Sequence, residues 1–278
     1  MKKYIIIFSF LLIFQVQNTY AQNDYTKELI DDAWEHFDNK SKADSLAKLA
    51  FKIAEENDEY WGQFQAMHAL GRINEYHQHW ENASMNYEQA IQLAEAADEL
   101  SDVAKIHLEK TYVEEASGNR DSAIVSGNRA LEIYESLKDS VNTITAYRTV
   151  GWLYNNGGFH EEAINHYVSS LRIADQLERD NDRARANQGI GVVYNKQKDF
   201  ERAAQYFEQA MLIYKQLEDT AGMLVVFNDL GILNKNTGNY DRAENAYNTI
   251  LSWSNNPTYS WSRGMAYNNL GILQYLRK

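Results

Sequence analysis

Cysteine is absent from the sequence, and proline occurs once in its 278 residues. Without cysteine the chain cannot form disulfide bonds, thiolate zinc sites, a cysteine nucleophile or a lipid-modified N-terminal cysteine. The 14 glycines and the single proline are also too few for a disordered or fibrous protein. With 44% of its residues hydrophobic, the chain is expected to fold around a large core.

Positive charge is scarce as well. The sequence has 27 Lys and Arg against 39 Asp and Glu, which gives a formal net charge of −12 at pH 7. So acidic a chain has no general attraction for the phosphates of nucleic acids or for anionic lipid surfaces. We therefore expect no nucleic-acid partner.

Long apolar runs are confined to the first 21 residues of the sequence. Lys2 and Lys3 precede an apolar run from Tyr4 to Phe14, and the polar stretch that follows ends at Ala21. This order is typical of a cleaved secretory signal peptide, and the run is shorter than the about 20 residues that span a bilayer. We predict a bacterial protein that is exported, periplasmic or secreted, with no membrane span in its mature chain. An uncleaved anchor or a buried N-terminal helix is the alternative.

A repeat with a period of 40 residues organises the rest of the sequence. The repeat has a glycine ladder, interrupted by Thr111, at Gly71, Gly151, Gly191, Gly231 and Gly271. It has an alanine ladder at Ala43, Ala83, Ala123, Ala163, Ala203 and Ala243. Four residues after each alanine stand Ala47, Tyr87, Gly127, Tyr167, Phe207 and Tyr247. Such a fixed period is typical of a solenoid built from stacked structural repeats.

Within each repeat the apolar spacing is that of two helices. The break between the two helices carries glycine, as at Gly118 and Gly238, and the break between repeats carries N-cap residues such as Asp139 and Asp219. Small residues on the glycine and alanine ladders allow two helix backbones to approach closely. The ladders are therefore predicted to be structural.

The segment GIGVVYNKQKDFERAAQYFEQAMLIY resembles the tetratricopeptide repeat family. The match rests on Gly191, Tyr194, Phe200, Ala203, Phe207 and Ala210. The resemblance implies an all-α fold, a right-handed α-solenoid of tandem helical hairpins, whose concave face binds extended or helical peptides. The period of 40 is similar to that of a long-helix subclass found in bacterial regulators and kinesin light chains.

The ladders divide the chain into a signal peptide, residues 1–21, and a repeat domain, residues 22–278. The predicted repeats lie at about 24–58, 59–98, 99–138, 139–178, 179–218 and 219–258, with an incomplete seventh at 259–278. Asp31 replaces the glycine in the first repeat, and Thr111, Arg120 and Gly127 make the third degenerate. We expect these two repeats to pack irregularly.

A stripe of side chains on the first helix of each repeat is the candidate binding groove. Positions six and three residues before the glycine, and one and four after it, share one side of a helix. Amides there can pair with a peptide backbone, and aromatic rings can hold apolar side chains. The candidates are His68, Arg72, Lys105, Tyr112, Arg148, Trp152, Arg185, Gln188, Asn228, Lys235 and Asn268.

The stripe has more basic than acidic residues although the chain is acidic. This contrast predicts a protein or peptide partner that is acidic or that presents a terminal carboxylate. Two simpler explanations stay open: a solvated helix face that binds nothing, and a chance excess of charge.

Catalytic patterns are weak, and we expect no catalytic residue, no metal site and no cofactor. His160 and His166 are six residues apart, whereas a zinc-protease helix needs a spacing of four. His77 and His79 near Glu75 lack a clear third ligand. An enzyme on a helical scaffold would need acids clustered on the inner wall, and Glu75 with Glu115 does not supply them. A further alternative is the sensory input part of a bacterial signalling regulator whose membrane and output parts are absent.

The pattern of the final segment, AYNNLGILQYLRK, predicts the first helix of a seventh repeat. Leu270, Ile272, Leu273, Tyr275 and Leu276 cover more than the one face that the sixth repeat can bury. An apolar solenoid end is a site of association. We therefore predict that this helix contacts a partner or a second copy, or that the chain is the front portion of a longer ancestral protein.

Overall fold

A computed structural model describes residues 25–253 and 256–277 of the chain, so the predicted signal peptide lies outside the described residues. The structure comprises two compact units, divided between Lys138 and Asp139. The described residues form thirteen α-helices and one short 3-10 helix. None of these helices has the length and hydrophobicity needed to cross a membrane.

The first unit contains six helices. They are α1 (25–35), α2 (Lys40–Glu56), α3 (Tyr60–Tyr76), α4 (Trp80–Ala96), α5 (Leu100–Ala116) and α6 (Arg120–Ser136). The second unit contains the other seven. They are α7 (Ser140–Gly157), α8 (His160–Gln176), α9 (Asp180–Lys196), α10 (Phe200–Gln216), α11 (Thr220–Asn236), α12 (Tyr240–Trp253) and, after the 3-10 turn Pro257–Tyr259, α13 (Ser260–Leu276).

We call the odd-numbered helices first helices and the even-numbered ones second helices. Each first helix from α3 to α11 packs against the second helix that follows it. Within each unit a second helix also packs against the next first helix, so that every hairpin is stacked on its neighbour. Among the described residues there is no β-strand. The prediction of an all-α solenoid of tandem helical hairpins is confirmed.

A left-handed residue ends the helices at a spacing of 20 residues. Ten such residues, each with φ between 52° and 84°, lie at Asp58, Gln78, Asp98, Gly118, Lys138, Gly158, Glu178, Lys198, Glu218 and Gly238. The following N–H bonds back across five residues, as from Asp219 to the Tyr214 carbonyl at 2.9 Å. This bond satisfies a carbonyl that the helix leaves open. The sequence predicts glycine at the breaks within repeats, and three of the five left-handed residues there are glycine, whereas Gln78 and Lys198 are not.

N-capping carboxylates begin several helices. The Asp139 side chain accepts a hydrogen bond from the Asn142 N–H at 3.0 Å, and the Asp219 side chain accepts one from the Gly222 N–H at 2.9 Å. Each bond satisfies a backbone donor that has no partner within its own helix. Both predicted caps are confirmed.

The glycine ladder lies where an aromatic ring of the second helix crosses the first. A Cβ added to Gly71 would lie 2.5 Å from the Tyr87 ring, and one added to Gly191 would lie 2.6 Å from Phe207. Gly151 and Gly231 face Tyr167 and Tyr247 in the same way. The alanines of the second ladder are 0% exposed at Ala43, Ala83, Ala123, Ala163, Ala203 and Ala243. The two ladders therefore set the helix spacing within a hairpin.

The prediction of irregular packing in the third repeat is wrong. The third repeat packs regularly, because α5 and α6 are 17-residue helices like those of the other repeats. Thr111 stands where the other repeats have glycine, Gly127 stands where they have an aromatic ring, and both residues are buried. Gly271 does not pack against an aromatic ring: a Cβ added there would meet no heavy atom within 4 Å. In the first repeat, Asp31 is exposed, unlike the buried ladder glycines at Gly71, Gly151, Gly191 and Gly231.

Candidate binding surface on the first helices

In the first unit the predicted stripe is a cluster of hydrogen-bonded charges on α3 and α5. His68 is buried, with its Nε2 2.6 Å from Glu109 Oε2. Arg72 is half-buried and donates to Glu75 at 3.4 Å, and Glu75 also accepts the Tyr87 hydroxyl at 2.6 Å. The α3 side chains are therefore fixed in orientation by neighbours on α4 and α5.

Electrostatics in this cluster favour an ionised acid. Burial alone would raise the pKa of the Glu109 carboxyl, but the hydrogen bond from His68 and the charges of Arg72 and Lys105 hold it below its ordinary value. Burial and the nearby Glu75 carboxylate raise the pKa of Tyr87, so its hydroxyl stays a hydrogen-bond donor.

In the second unit the stripe combines ion pairs with an aromatic ring. Arg148 on α7 lies 3.3 Å from Asp182 on α9, and this acid is 8% exposed in its side chain. Trp152 stands four residues after Arg148, on the same side of α7, and packs half-buried against the core around Tyr167. Arg185 is exposed, and its charge opposes the effect of burial, which raises the pKa of Tyr214. The arrangement presents cations and an indole face on neighbouring first helices.

Hydrogen bonds between successive first helices form a ladder that the sequence analysis missed. Gln188 donates to Asp229 at 2.8 Å, and Asn269 donates to Asn228 at 2.8 Å. Like His68 and Glu109, each pair is 41 residues apart, one more than the period. The sequence did contain a signal for these bonds, because the position two residues before the ladder position carries a polar residue at Glu109, Asp229 and Asn269. These buried and part-buried bonds fix the register of one hairpin on the next.

Asp229 is the most perturbed acid of this ladder. Burial raises the pKa of its carboxyl to about 7, against the opposing effect of hydrogen bonds from Gln188 and Asn228. The carboxyl therefore changes its charge near neutral pH inside the second unit.

The predicted groove residues differ widely in exposure. Lys105, Tyr112, Arg185 and Asn268 are exposed; Arg72, Arg148, Trp152, Gln188 and Lys235 are half-buried; His68 and Asn228 are buried. His68 and Asn228 thus serve contacts between repeats, while peptide contact by the others stays a prediction. Nearby acids reduce the predicted excess of basic residues on the stripe. Glu109 lies close to Arg72 and Lys105, and Asp182 pairs with Arg148.

The histidine candidates have structural surroundings. His166 stacks on Tyr154 with ring centroids 5.2 Å apart, and His77 Nε2 lies 3.0 Å from the Phe37 carbonyl oxygen. Within the described part of the chain, no three His, Asp or Glu side chains are grouped closely enough to hold a metal ion.

A cleft of about 380 Å³ lies between α1 and α3 in the first unit. Trp34 and Trp61 form its apolar walls, and Lys27, Asp31 and Glu59 supply its charges. Burial raises the pKa of the Glu59 carboxyl, against a hydrogen bond from Thr26. Its volume is in the range of sites that hold a small molecule or a side chain. No predicted groove residue lines it.

Comparison with known proteins agrees with this architecture. The family model described as tetratricopeptide repeat matches residues 102–176 and 182–256, more than half of the 278 residues. The chain belongs to the tetratricopeptide repeat family. No curated protein sequence matches it.

Several solved structures share the fold of this tetratricopeptide protein at low sequence identity. The apo form of RapI is 14% identical with a TM-score of 0.71, over 90% of this chain and 92% of RapI. BtubC from P. vanneervenii is 18% identical with a TM-score of 0.59, over 82% of this chain and 90% of BtubC. NprR in complex with its cognate peptide NprX is 17% identical with a TM-score of 0.62, over 93% of this chain and 72% of NprR.

Proposed function

We propose that this tetratricopeptide array is an exported, non-catalytic scaffold that binds a peptide or protein segment on its first helices. One observation carries the proposal: side chains suited to peptide recognition are held in place by neighbouring helices yet keep accessible surface. Arg148 is oriented by Asp182, and Trp152 packs half-buried against the core around Tyr167. Side chains fixed before binding lose less conformational entropy when a ligand arrives.

Each group has a defined part in this function. The half-buried indole of Trp152 supplies an apolar face for a ligand side chain, and the amide of Gln188 lies on the adjacent first helix. Arg185 and Lys235 are cations on the same stripe of the second unit. Their chemistry suits a ligand that is acidic or that ends in a carboxylate. NprR, whose structure holds a peptide, shares the fold, which supports a peptide ligand here.

Export is proposed from residues 1–21, which have the charge, apolar run and small residues of a signal peptide. The protein isolated from the envelope of its bacterial host should begin at Gln22. An N-terminus that retains Met1 in that fraction would contradict cleavage.

Selection from a random-peptide display library on the purified protein tests the binding function. Selected peptides should bind in solution with saturation, and the double variant Arg185→Glu, Lys235→Glu should weaken them about tenfold or more. The matched control is Arg172→Glu, Arg242→Glu, which makes the same charge change at exposed positions on second helices. This control should bind as the wild type does.

Two results would contradict the proposal. One is failure to select any peptide that binds with saturation; the other is equal weakening by both double variants. Selected peptides without acids or a free carboxylate end would overturn the ligand chemistry alone and leave the binding function standing.

A further inference from the structure

Two indole rings line the cleft between α1 and α3, and each packs against a second aromatic ring. Trp34 on α1 stacks on Phe37 with ring centroids 5.4 Å apart, and Trp61 on α3 stacks on Phe64 at 5.5 Å. Trp34 nevertheless keeps 37% and Trp61 keeps 55% of its surface exposed. Indole attracts cations more strongly than the other aromatic side chains do. The cleft therefore presents two oriented rings of the kind that attracts a cation.

Acidic residues outnumber basic ones in the lining of this cleft. Lys27 and Asp31 stand four residues apart on the exposed side of α1, so their opposite charges offset each other. Glu59, directly before α3, leaves one negative charge in excess. The lining therefore favours a ligand that carries positive charge.

The Glu59 carboxylate is only partly compensated by its protein neighbours. The side chain of Thr26, a residue that is 1% exposed, hydrogen-bonds this carboxylate. Its Oε2 atom, however, is buried and has no hydrogen-bond partner among the described residues. A carboxylate that has lost water without gaining full hydrogen bonding is held at a cost in free energy. A cation in the cleft would recover part of this cost through its charge.

Close packing at Gly62 fixes the wall that carries this carboxylate. A Cβ added to Gly62 would lie 2.8 Å from the Thr26 methyl carbon and 2.9 Å from the Glu59 carboxyl carbon. Both distances are too short for a real side chain, so only glycine lets α1 and Glu59 lie so near the first turn of α3. The position of the negative charge is therefore set before any ligand arrives.

We propose that this cleft binds a small organic cation with a quaternary ammonium group. The rings of Trp34 and Trp61 contact its methyl groups, and Glu59 supplies the opposite charge. Such a group suits the lining better than a primary amine, because the buried Glu59 Oε2 offers attraction by charge rather than an open acceptor for N–H. The volume of about 380 Å³ accommodates a molecule the size of choline. The stripe that carries the proposed function does not line this cleft, so either proposal can fail without the other.

Choline is the probe for this site, and its comparison is the neutral alcohol in which a carbon atom replaces the nitrogen of choline. Isothermal titration calorimetry with the purified protein should show saturable binding of choline and at least about tenfold weaker binding of the neutral alcohol. Glu59→Gln should weaken choline binding about tenfold, because it removes the opposite charge. Trp61→Leu should weaken it to a similar extent, because it removes one of the two indole rings.

Two variants at exposed positions outside the cleft are matched controls. Glu95→Gln makes the same exchange on α4, and Trp261→Leu makes the same exchange on α13. Both should bind choline as the wild type does.

Four results would overturn the proposal. They are the absence of saturable choline binding, equally tight binding of the neutral alcohol, undiminished binding by Glu59→Gln and Trp61→Leu, and equal weakening by the two control variants. A trimethyllysine peptide that binds at least about tenfold more tightly than choline would also overturn it, since the occupant would then be a modified protein side chain.

Discussion

The helices α11 and α13 carry almost the same six residues in two different surroundings. Residues 228–233 read NDLGIL and residues 268–273 read NNLGIL, 40 residues later. In α11 the glycine meets Tyr247 and the first asparagine is buried. In α13 the corresponding Gly271 and Asn268 are exposed. The last leucine is buried in both helices, at Leu233 and Leu273.

This difference separates two things that one sequence pattern encodes. The hexapeptide sets the helix and the face that packs on the preceding hairpin, since both leucines are buried. It does not set whether the glycine face is covered, because that depends on a helix contributed from elsewhere in sequence. Three comparisons of substituted proteins test this separation, from the largest expected effect to the smallest.

The largest effect is expected from leucine at the two glycines. Gly231→Leu places a side chain where the Tyr247 ring already lies, and should lower the free energy of unfolding by about 3 kcal/mol. Gly271→Leu meets no neighbour and replaces glycine with a better helix former, so it should raise that free energy by up to about 1 kcal/mol. Urea unfolding followed by circular dichroism measures both. Equal losses would show that the two environments are alike.

The next effect concerns the one residue that differs between the hexapeptides. Asp229→Asn makes α11 match α13. Burial raises the pKa of the Asp229 carboxyl to about 7, so the folded protein holds a proton that the unfolded chain releases near an ordinary aspartate pKa of about 4. The stability that this proton contributes is complete below about pH 4 and is lost as the pH rises to about 7.

The measurement is the free energy of unfolding of both proteins across this range. From about pH 5 to about pH 8 the wild type should lose about 2–3 kcal/mol that Asp229→Asn retains. Parallel pH profiles for the two proteins would mean that the carboxyl is not protonated in the folded state at pH 5.

The smallest effect is expected at the first asparagine of each hexapeptide. Asn228→Ala removes the oxygen that accepts the Asn269 amide at 2.8 Å and leaves that buried donor unpaired. It should destabilise the protein by about 1–2 kcal/mol. Asn268→Ala alters an exposed side chain and should change stability by less than about 0.5 kcal/mol. Thermal unfolding compares the pair, and a larger loss at Asn268 would reverse the assignment of buried and exposed positions.

Period and residue type were enough to predict the helical hairpins, the caps at Asp139 and Asp219, and the structural role of the glycine and alanine ladders. They did not predict that the ladder glycines lie against the aromatic rings of the second helices. The regular third repeat was not predicted. Thr111 is larger than the glycine it replaces and Gly127 is smaller than the ring it replaces, and each change looks like a defect when it is judged alone. The candidate surface was predicted only in outline. His68 and Asn228 match the stripe by spacing, but their partners, Glu109 and Asn269, are one residue out of period and lie on the next first helix.

The even spacing of the left-handed turns also bears on how the gene can change. A residue inserted within a helix would rotate every following side chain of that helix by about 100°, and so misplace its small residues and rings. A segment of 40 residues can be duplicated or deleted between two such turns with each helix end still meeting an equivalent one. The length of this protein is therefore expected to vary among descendants of its gene in whole hairpins rather than in single codons.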